Sequence, residues 1–289
     1  MRPIDKSLQE YGRGIIGGLL FSLPLLYTME VWWAGFSAHP FHLILYVAAT
    51  FILLLGYNYY AGLRHDANLT EVVIDSVEEM GLGLLISAIA LLILGRIRFD
   101  MTMGEIVGKI TVEAMTVAIG VSVGTAQLGS AGGASDTGEG DSQSKQTRAG
   151  GGGSQEKVHF GGQLVIALCG AVLFAANVAP TEEIIMIASE ISSLKLLAIA
   201  LISITLGGAI LFHIDFKGAQ SFTRDKGAMA VLIGSVVTYA IALLSSAMIL
   251  WFFGRFDGQG LIICIAQTIV LGLAATLGAS AGRLLLQSK

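Results

Sequence analysis

Two glutamates, Glu30 and Glu183, lie inside stretches of sequence that are apolar enough to enter a membrane. A charged side chain at the centre of a bilayer costs about 2.5 to 3.5 kcal/mol on insertion scales, so it normally faces a partner, a hydrated cavity or a proton. Carboxylates are also ligands for hard cations. The chemistry that these two residues favour is therefore the binding of a proton or a small cation within the membrane.

Both glutamates belong to one short pattern, LF-x6-T-x-E, which occurs twice along the chain. The copies run from Leu20 to Glu30 and from Leu173 to Glu183, at a constant offset of 153 residues. Further pairs match in the same order at offsets of 156, 159 and 154: Tyr60 and Gly62 with Phe216 and Gly218, Gly95 and Arg96 with Gly254 and Arg255, and Glu113, Gly120 and Gly124 with Gln267, Ala274 and Gly278. Matches in order over four helices predict duplication of a whole four-helix unit.

The duplication defines the predicted organisation of the chain. Residues 1 to 128 form the first membrane repeat, residues 129 to 157 a flexible linker rich in Gly, Ser, Asp and Gln, and residues 158 to 289 the second repeat. Because four helices return the chain to its starting side, the two repeats should be parallel and related by an axis along the membrane normal.

Composition assigns the chain to the membrane. Hydrophobic residues make up 54% of it and charged residues 13%, and the mean hydropathy is +0.74, whereas soluble domains carry about 25% charged residues. Since helices satisfy their own backbone, we predict an all-α polytopic protein. The eight predicted spans are residues 12 to 36, 41 to 61, 79 to 97, 105 to 127, 160 to 188, 194 to 214, 227 to 253 and 260 to 283.

The distribution of Lys and Arg predicts the orientation. With the N-terminus inside, twelve of the 17 basic residues fall on the cytoplasmic side and five on the other, as the positive-inside rule requires. We expect a multi-pass protein of the bacterial inner membrane with both termini and the linker in the cytoplasm. The formal net charge of −4 gives no reason to expect a nucleic-acid partner.

Two prolines lie in the helices that carry the repeated glutamates. Pro24 and Pro180 remove a backbone donor and free the carbonyls of Leu20 and Ala176. Carbonyls, hydroxyls and carboxylates at such a kink suit a proton or a hard cation. The residues predicted to meet between the repeats are Thr28, Glu30, Asn177, Thr181, Glu182 and Glu183.

A structural role is the alternative for these glutamates. Arg96 and Arg255 form a repeated pair at helix ends on the same side, so Glu30 with Arg96 and Glu183 with Arg255 are candidate ion pairs. The protein would then be a scaffold or sensor that transports nothing. Glu182 favours transport, because a second adjacent carboxylate exceeds what simple pairing needs.

Enzymatic function has no support in the sequence. The chain lacks H-E-x-x-H, G-x-S-x-G, P-loop and CxxC motifs, so we assign no catalytic residue, metal ligand or cofactor. The expected partners are the lipid bilayer and a transported proton or small cation, and the sequence identifies no protein partner. The acidic segment from Asn68 to Met80 is expected to be a solvated amphipathic face with a capping box at its start, rather than a vestibule.

The chain resembles an uncharacterised family of bacterial eight-helix integral membrane proteins. The resemblance rests on the segment Ala179 to Ile184, APTEEI, on the two halves and on the polar central linker. It implies the eight-helix membrane fold, and it implies no activity.

The orientation can be tested by labelling single cysteines. In a chain with Cys169 and Cys264 replaced by Ser, cysteines at Ser142 and Ser37 should react with an impermeant reagent from opposite sides of the membrane. Labelling of both positions from the same side would contradict the eight-helix topology.

Overall fold

The computed structural model describes residues 4–61, 68–131, 160–213 and 227–286, and these form helices joined by turns, with no strand among them. The helices of the first half are α1 Ile4–Leu26, α2 Met29–Ser37, α3 Pro40–Ala61, α4 Leu69–Ile93 and α5 Met103–Ala131. Those of the second half are α6 Phe160–Val178, α7 Glu183–Glu190, α8 Ser193–His213, α9 Gly227–Phe252 and α10 Leu261–Leu286. The predicted linker lies outside the described residues, apart from the last residues of α5.

The all-helical polytopic fold is confirmed. Seven helices in the described ranges are long and apolar enough to cross a bilayer, and the count rises to eight if the bent pair of α1 and α2 is one span. Large apolar side chains are exposed on the outer faces of these helices, among them Ile44, Ile52, Leu85, Leu232 and Ile262. Such faces suit contact with lipid tails.

Two predicted spans are not single helices. The chain turns by 88° between α1 and α2, so the predicted helix over residues 12 to 36 is two helices. The predicted helix over residues 160 to 188 likewise stops at Val178 and restarts at Glu183. Pro24 lies two residues before Leu26, the last residue of α1, and Pro180 lies between α6 and α7. The kinks expected at these prolines are therefore complete interruptions, because proline both removes a donor and obstructs the helix.

The acidic segment before the third predicted span also differs from expectation. Helix α4 begins at Leu69, so this segment is its first part rather than a separate solvated face. Within it Glu78 is exposed and Glu79 is 8% exposed, since consecutive residues of a helix point about 100° apart. Asn68 is the N-cap, but its side chain makes no capping bond, and its carbonyl accepts the Glu71 N–H instead at 2.8 Å.

In the described ranges the order of helices is the same in both halves: a long helix, a short helix and three long helices. The helix ends match as well. Gly95 and Gly254 both have φ of +67°, a conformation that glycine adopts without steric cost. The next residues, Arg96 and Arg255, donate their N–H groups to the carbonyls five residues earlier at 2.8 and 2.9 Å, the bond of a Schellman cap. These equivalences support the predicted duplication, while its symmetry axis stays a prediction.

Glycines bring two helix pairs into backbone contact. Helix α5 packs most extensively on α1, and α10 packs most extensively on α6. A Cβ on Gly17 would overlap the Cα of Gly124, and a Cβ on Gly170 would overlap the carbonyl oxygen of Gly278. Gly17 matches Gly170 at offset 153, and Gly124 matches Gly278 at offset 154. Each half therefore depends on the same close crossing, as small residues permit within membranes.

Asn177 fastens α6 to α1 where the two halves meet. Its Nδ2 donates to the carbonyl of Phe21 at 3.0 Å, and its Oδ1 accepts the N–H of Leu25 at 3.1 Å. These two backbone groups are four residues apart in α1, the spacing of an intrahelical bond. The side-chain amide thus bridges the last turn of α1 just before the break.

We expect Gly17→Ala to destabilise the protein by about 1 to 3 kcal/mol, because the added methyl group meets backbone that cannot move aside. The measurement is thermal unfolding of the purified protein in one fixed detergent. Gly12→Ala is the matched control on the same helix, since nothing lies within 4 Å of a Cβ at Gly12. Equal unfolding temperatures for the two variants would contradict the crossing.

Asn177→Ala removes the side-chain bonds that join α6 to α1. We expect the free energy of unfolding to fall by about 1 to 3 kcal/mol, because buried backbone groups lose a partner. Asn68→Ala is its control, because the Asn68 side chain makes no capping bond. The unfolding temperatures of the two variants are compared in one detergent. A greater decrease in Asn68→Ala than in Asn177→Ala would show that the Asn177 bonds contribute little to stability.

Candidate functional site

The acids of the two broken helices meet at one cavity. Glu30 lies in the first turn of α2, Glu183 in the first turn of α7, and Glu182 is the N-cap of α7. A cavity of about 260 Å³ is lined by Glu30 and Glu182, one acid from each half, together with Arg255. We call this cavity the cleft. It lies on the side of the molecule that carries α2, α7 and the turn after α9.

Arg255 is the positive charge of the cleft. Its side chain is half-buried, and its Nε is buried without a hydrogen-bond partner among the described residues. Burial lowers the pKa of the guanidinium, and the negative charges of Glu30, Glu182 and Glu183 oppose that shift. Within the part of the chain that the structure describes, no carboxylate lies within 4.0 Å of this guanidinium.

Three carboxylates therefore share one arginine without a close ion pair. With the carboxylates ionised, these four side chains carry more negative than positive charge. Separated charges interact over several ångströms inside a protein, where the effective dielectric constant is well below that of water. The cleft favours a positively charged guest or a proton.

Arg96, the equivalent of Arg255 in the first half, occupies a different environment. Its guanidinium lies 4.7 Å from the centre of the Trp32 ring, and its Nε donates to the carbonyl of Leu94 at 3.1 Å. It makes no ion pair with Glu30 within 4.0 Å in the described structure. The candidate pairing of Glu30 with Arg96 is not seen, and Glu30 acts instead on Arg255 of the other half.

Both predicted threonines have local hydrogen-bond partners. The Thr28 hydroxyl donates to the carbonyl of Pro24 at 2.7 Å, and the Thr181 hydroxyl donates to the carbonyl of Val178 at 2.9 Å. Each hydroxyl satisfies a carbonyl at the end of the preceding helix, where intrahelical donors run out. With Asn177, these residues hold the breaks that position the acids.

The six predicted site residues thus fall into two groups. Glu30 and Glu182 line the cleft and Glu183 acts on its arginine, whereas Thr28, Asn177 and Thr181 support the helix ends around it. Trp33 and Phe253 add aromatic surface to the cleft that the sequence did not identify.

Two buried acids were missed as site residues. Glu113 of α5 is fully buried, and Glu79 of α4 is 8% exposed. In the sequence, Glu113 stands out only as the position that matches Gln267 in the repeat. The signal for Glu79 is the series of buried residues at helical spacing that includes Ser76, Gly83 and Ser87, because a polar residue in register with small residues faces a neighbouring helix.

Among the described residues, no three His, Cys, Asp or Glu side chains gather closely enough to hold a metal ion. The chemistry that the described cleft offers is that of carboxylates beside one guanidinium, and this suits a proton or a loosely held cation.

Comparison with known proteins gives one result. No curated protein and no solved structure matches the chain. A family model described as "Putative integral membrane protein (DUF2391)" matches residues 10–286, which is nearly the whole chain. The chain belongs to this family of integral membrane proteins.

Proposed function

We propose that the protein transports protons or small cations across the membrane through the cleft. The observation that carries this proposal is that Glu30 of the first half and Glu182 of the second line one cavity beside Arg255. Carboxylates at a polar cavity in a membrane protein are typical of ion and proton pathways. Discontinuous helices that meet between two repeats are also a common form of transport site.

Arg255 would help the cleft to release a bound cation or proton. A cation or proton that enters neutralises carboxylates that otherwise act on the guanidinium. Arginine keeps its own proton under ordinary conditions, so it competes with the guest as a fixed positive charge. A site that binds a guest too tightly does not conduct, and the arginine limits the affinity.

A scaffold or sensor is the second candidate, and it too has an observation in its favour. Glu30 and Glu183 lie in first turns of helices, where a negative charge stabilises the helix by about 0.3 to 1 kcal/mol. The acids would then hold the ends of α2 and α7 and attract Arg255, and no ion would pass.

The expected orientation places the cleft on the outer side of a bacterial inner membrane. The excess of Lys and Arg in the predicted cytoplasmic segments supports this proposal. A guest would enter the cleft from outside the cell, or leave through it.

Flux through proteoliposomes tests the proposal. We expect the purified protein to pass protons, Na⁺ or K⁺, and Glu30→Gln and Glu182→Gln each to reduce that flux towards the level of protein-free liposomes. Glu30 is half-buried and Glu182 exposed, so each substitution should change stability by about 1 kcal/mol or less. Glu190→Gln, an exposed acid at the other end of α7, should keep normal flux.

A structural role for the acids gives the opposite pattern. Glu30→Gln would then lower the unfolding temperature, Arg255→Gln would partly restore it in the double variant, and the flux of every ion would match that of protein-free liposomes throughout. That result would reject transport and leave the scaffold.

A further inference from the structure

Helix α5 carries a buried carboxyl for which the described part of the chain offers no hydrogen-bond partner. It is the most buried of the spans, and Glu113 on it is 0% exposed, with both carboxylate oxygens lacking a hydrogen-bond partner among the described residues. An ionised carboxylate in such a place is costly, and a buried acid commonly avoids this cost by taking up a proton.

The charged group one turn from Glu113 is engaged elsewhere. The Lys109 ammonium bonds Glu105 at 3.1 Å and the carbonyl of Arg96 at 3.4 Å. On α3, which packs against α5, the Tyr46 hydroxyl lies 3.2 Å from that of Thr116 and makes no hydrogen bond to Glu113. These groups do not neutralise Glu113, and a hard cation would need about six oxygen ligands.

A second buried carboxyl lies in a polar network that joins α3, α4 and α5. The Asn58 amide donates to Glu79 Oε2 at 2.7 Å and to the Ser76 hydroxyl at 3.1 Å, and the Ser122 hydroxyl donates to Asn58 Oδ1 at 3.0 Å. Asp75 and Glu78 are the charged groups that act on Glu79, and both are negative. On α6, the Cys169 thiol lies 3.8 Å from the carbonyl of Leu53. No Lys or Arg side chain among the described residues forms an ion pair with the Glu79 carboxyl.

The second half holds neither acid. At the α5 and α10 offset of 154, Glu113 corresponds to Gln267, which is also fully buried. At the α4 and α9 offset of 159, Glu79 corresponds to Thr238, again fully buried. The two halves keep a polar group at each place, but only the first half offers a group that can bind and release a proton.

We propose that Glu113 and Glu79 are two proton-binding carboxyls built into the first half, and that the transported species is the proton. Each ionised carboxylate takes up one proton to become a neutral acid and returns it to become a carboxylate again. The two sites are separate, because Glu113 and Ser122, which lies beside the Glu79 network, are nine residues and about 14 Å apart along α5. This inference rests on the proposed transport function and narrows its substrate.

Infrared difference spectra of the full-length protein in liposomes, recorded as the pH is varied, test the sites directly. The C=O stretch of a protonated carboxylic acid reports each neutral acid. We expect Glu113→Gln and Glu79→Gln each to remove one titrating component, and the flux of protons through either variant to fall to that of protein-free liposomes. Glu190→Gln removes an exposed acid at the end of α7, and it should keep both the components of Glu113 and Glu79 and the normal flux of protons.

The outcomes separate this inference from the proposed function. If both variants keep the titrating components of the wild type, the inference is overturned whatever the flux. If the components disappear but the wild type passes no ion, the proton-binding sites stand and transport is rejected. If Glu113→Gln does not fold, Glu113→Asp keeps the acid and should shift its C=O band. A folded Asp variant with an unchanged spectrum would also overturn the proposal.

Discussion

A bilayer offers no hydrogen-bond partner to a polar group, and the arrangement of this protein follows from that constraint. Several hydroxyls within the spans donate to carbonyls one turn earlier in their own helix, among them those of Ser203, Thr205, Ser246 and Thr276. The helices α1 and α5 approach to backbone contact at Gly17 and Gly124, because neither glycine carries a side chain.

The same constraint explains where the chain is interrupted. A broken helix exposes unpaired backbone groups, so each break needs side chains to satisfy them. Thr28 and Thr181 supply hydroxyls from their own chain segments, and Asn177 reaches across from the other half. The breaks in turn end the long helices early and let α2 and α7 carry their acids to a shared cavity.

The two halves share their helix packing but differ in the surroundings of several charged residues. Their close crossings and helix caps are equivalent, yet Arg255 lines the cleft while Arg96 stacks on Trp32. Glu113 likewise stands opposite Gln267 in the sequence match. Glu30 and Glu183, by contrast, match in the repeat, and both act on Arg255 of the cleft. The candidate residues therefore include positions that the two halves share and positions at which they differ.

Much of the architecture could be predicted from the amino-acid sequence. Hydropathy identified the membrane class, and the repeated pattern identified Glu30 and Glu183 as matched residues, although it placed each within one long helix. The prolines marked both interruptions. These features are local, because hydrophobicity, proline geometry and spacing act within a few turns of one helix.

Tertiary structure decided which groups meet. The sequence paired each glutamate with an arginine of its own half, but Arg255 faces Glu30 from the other half. The sequence also placed Glu79 on a solvated face, and only packing against α3 and α5 shows that it is buried. Burial and electrostatic partnership depend on which helix faces arrive together. Residues far apart in the chain determine that arrangement, and a single sequence does not reveal it.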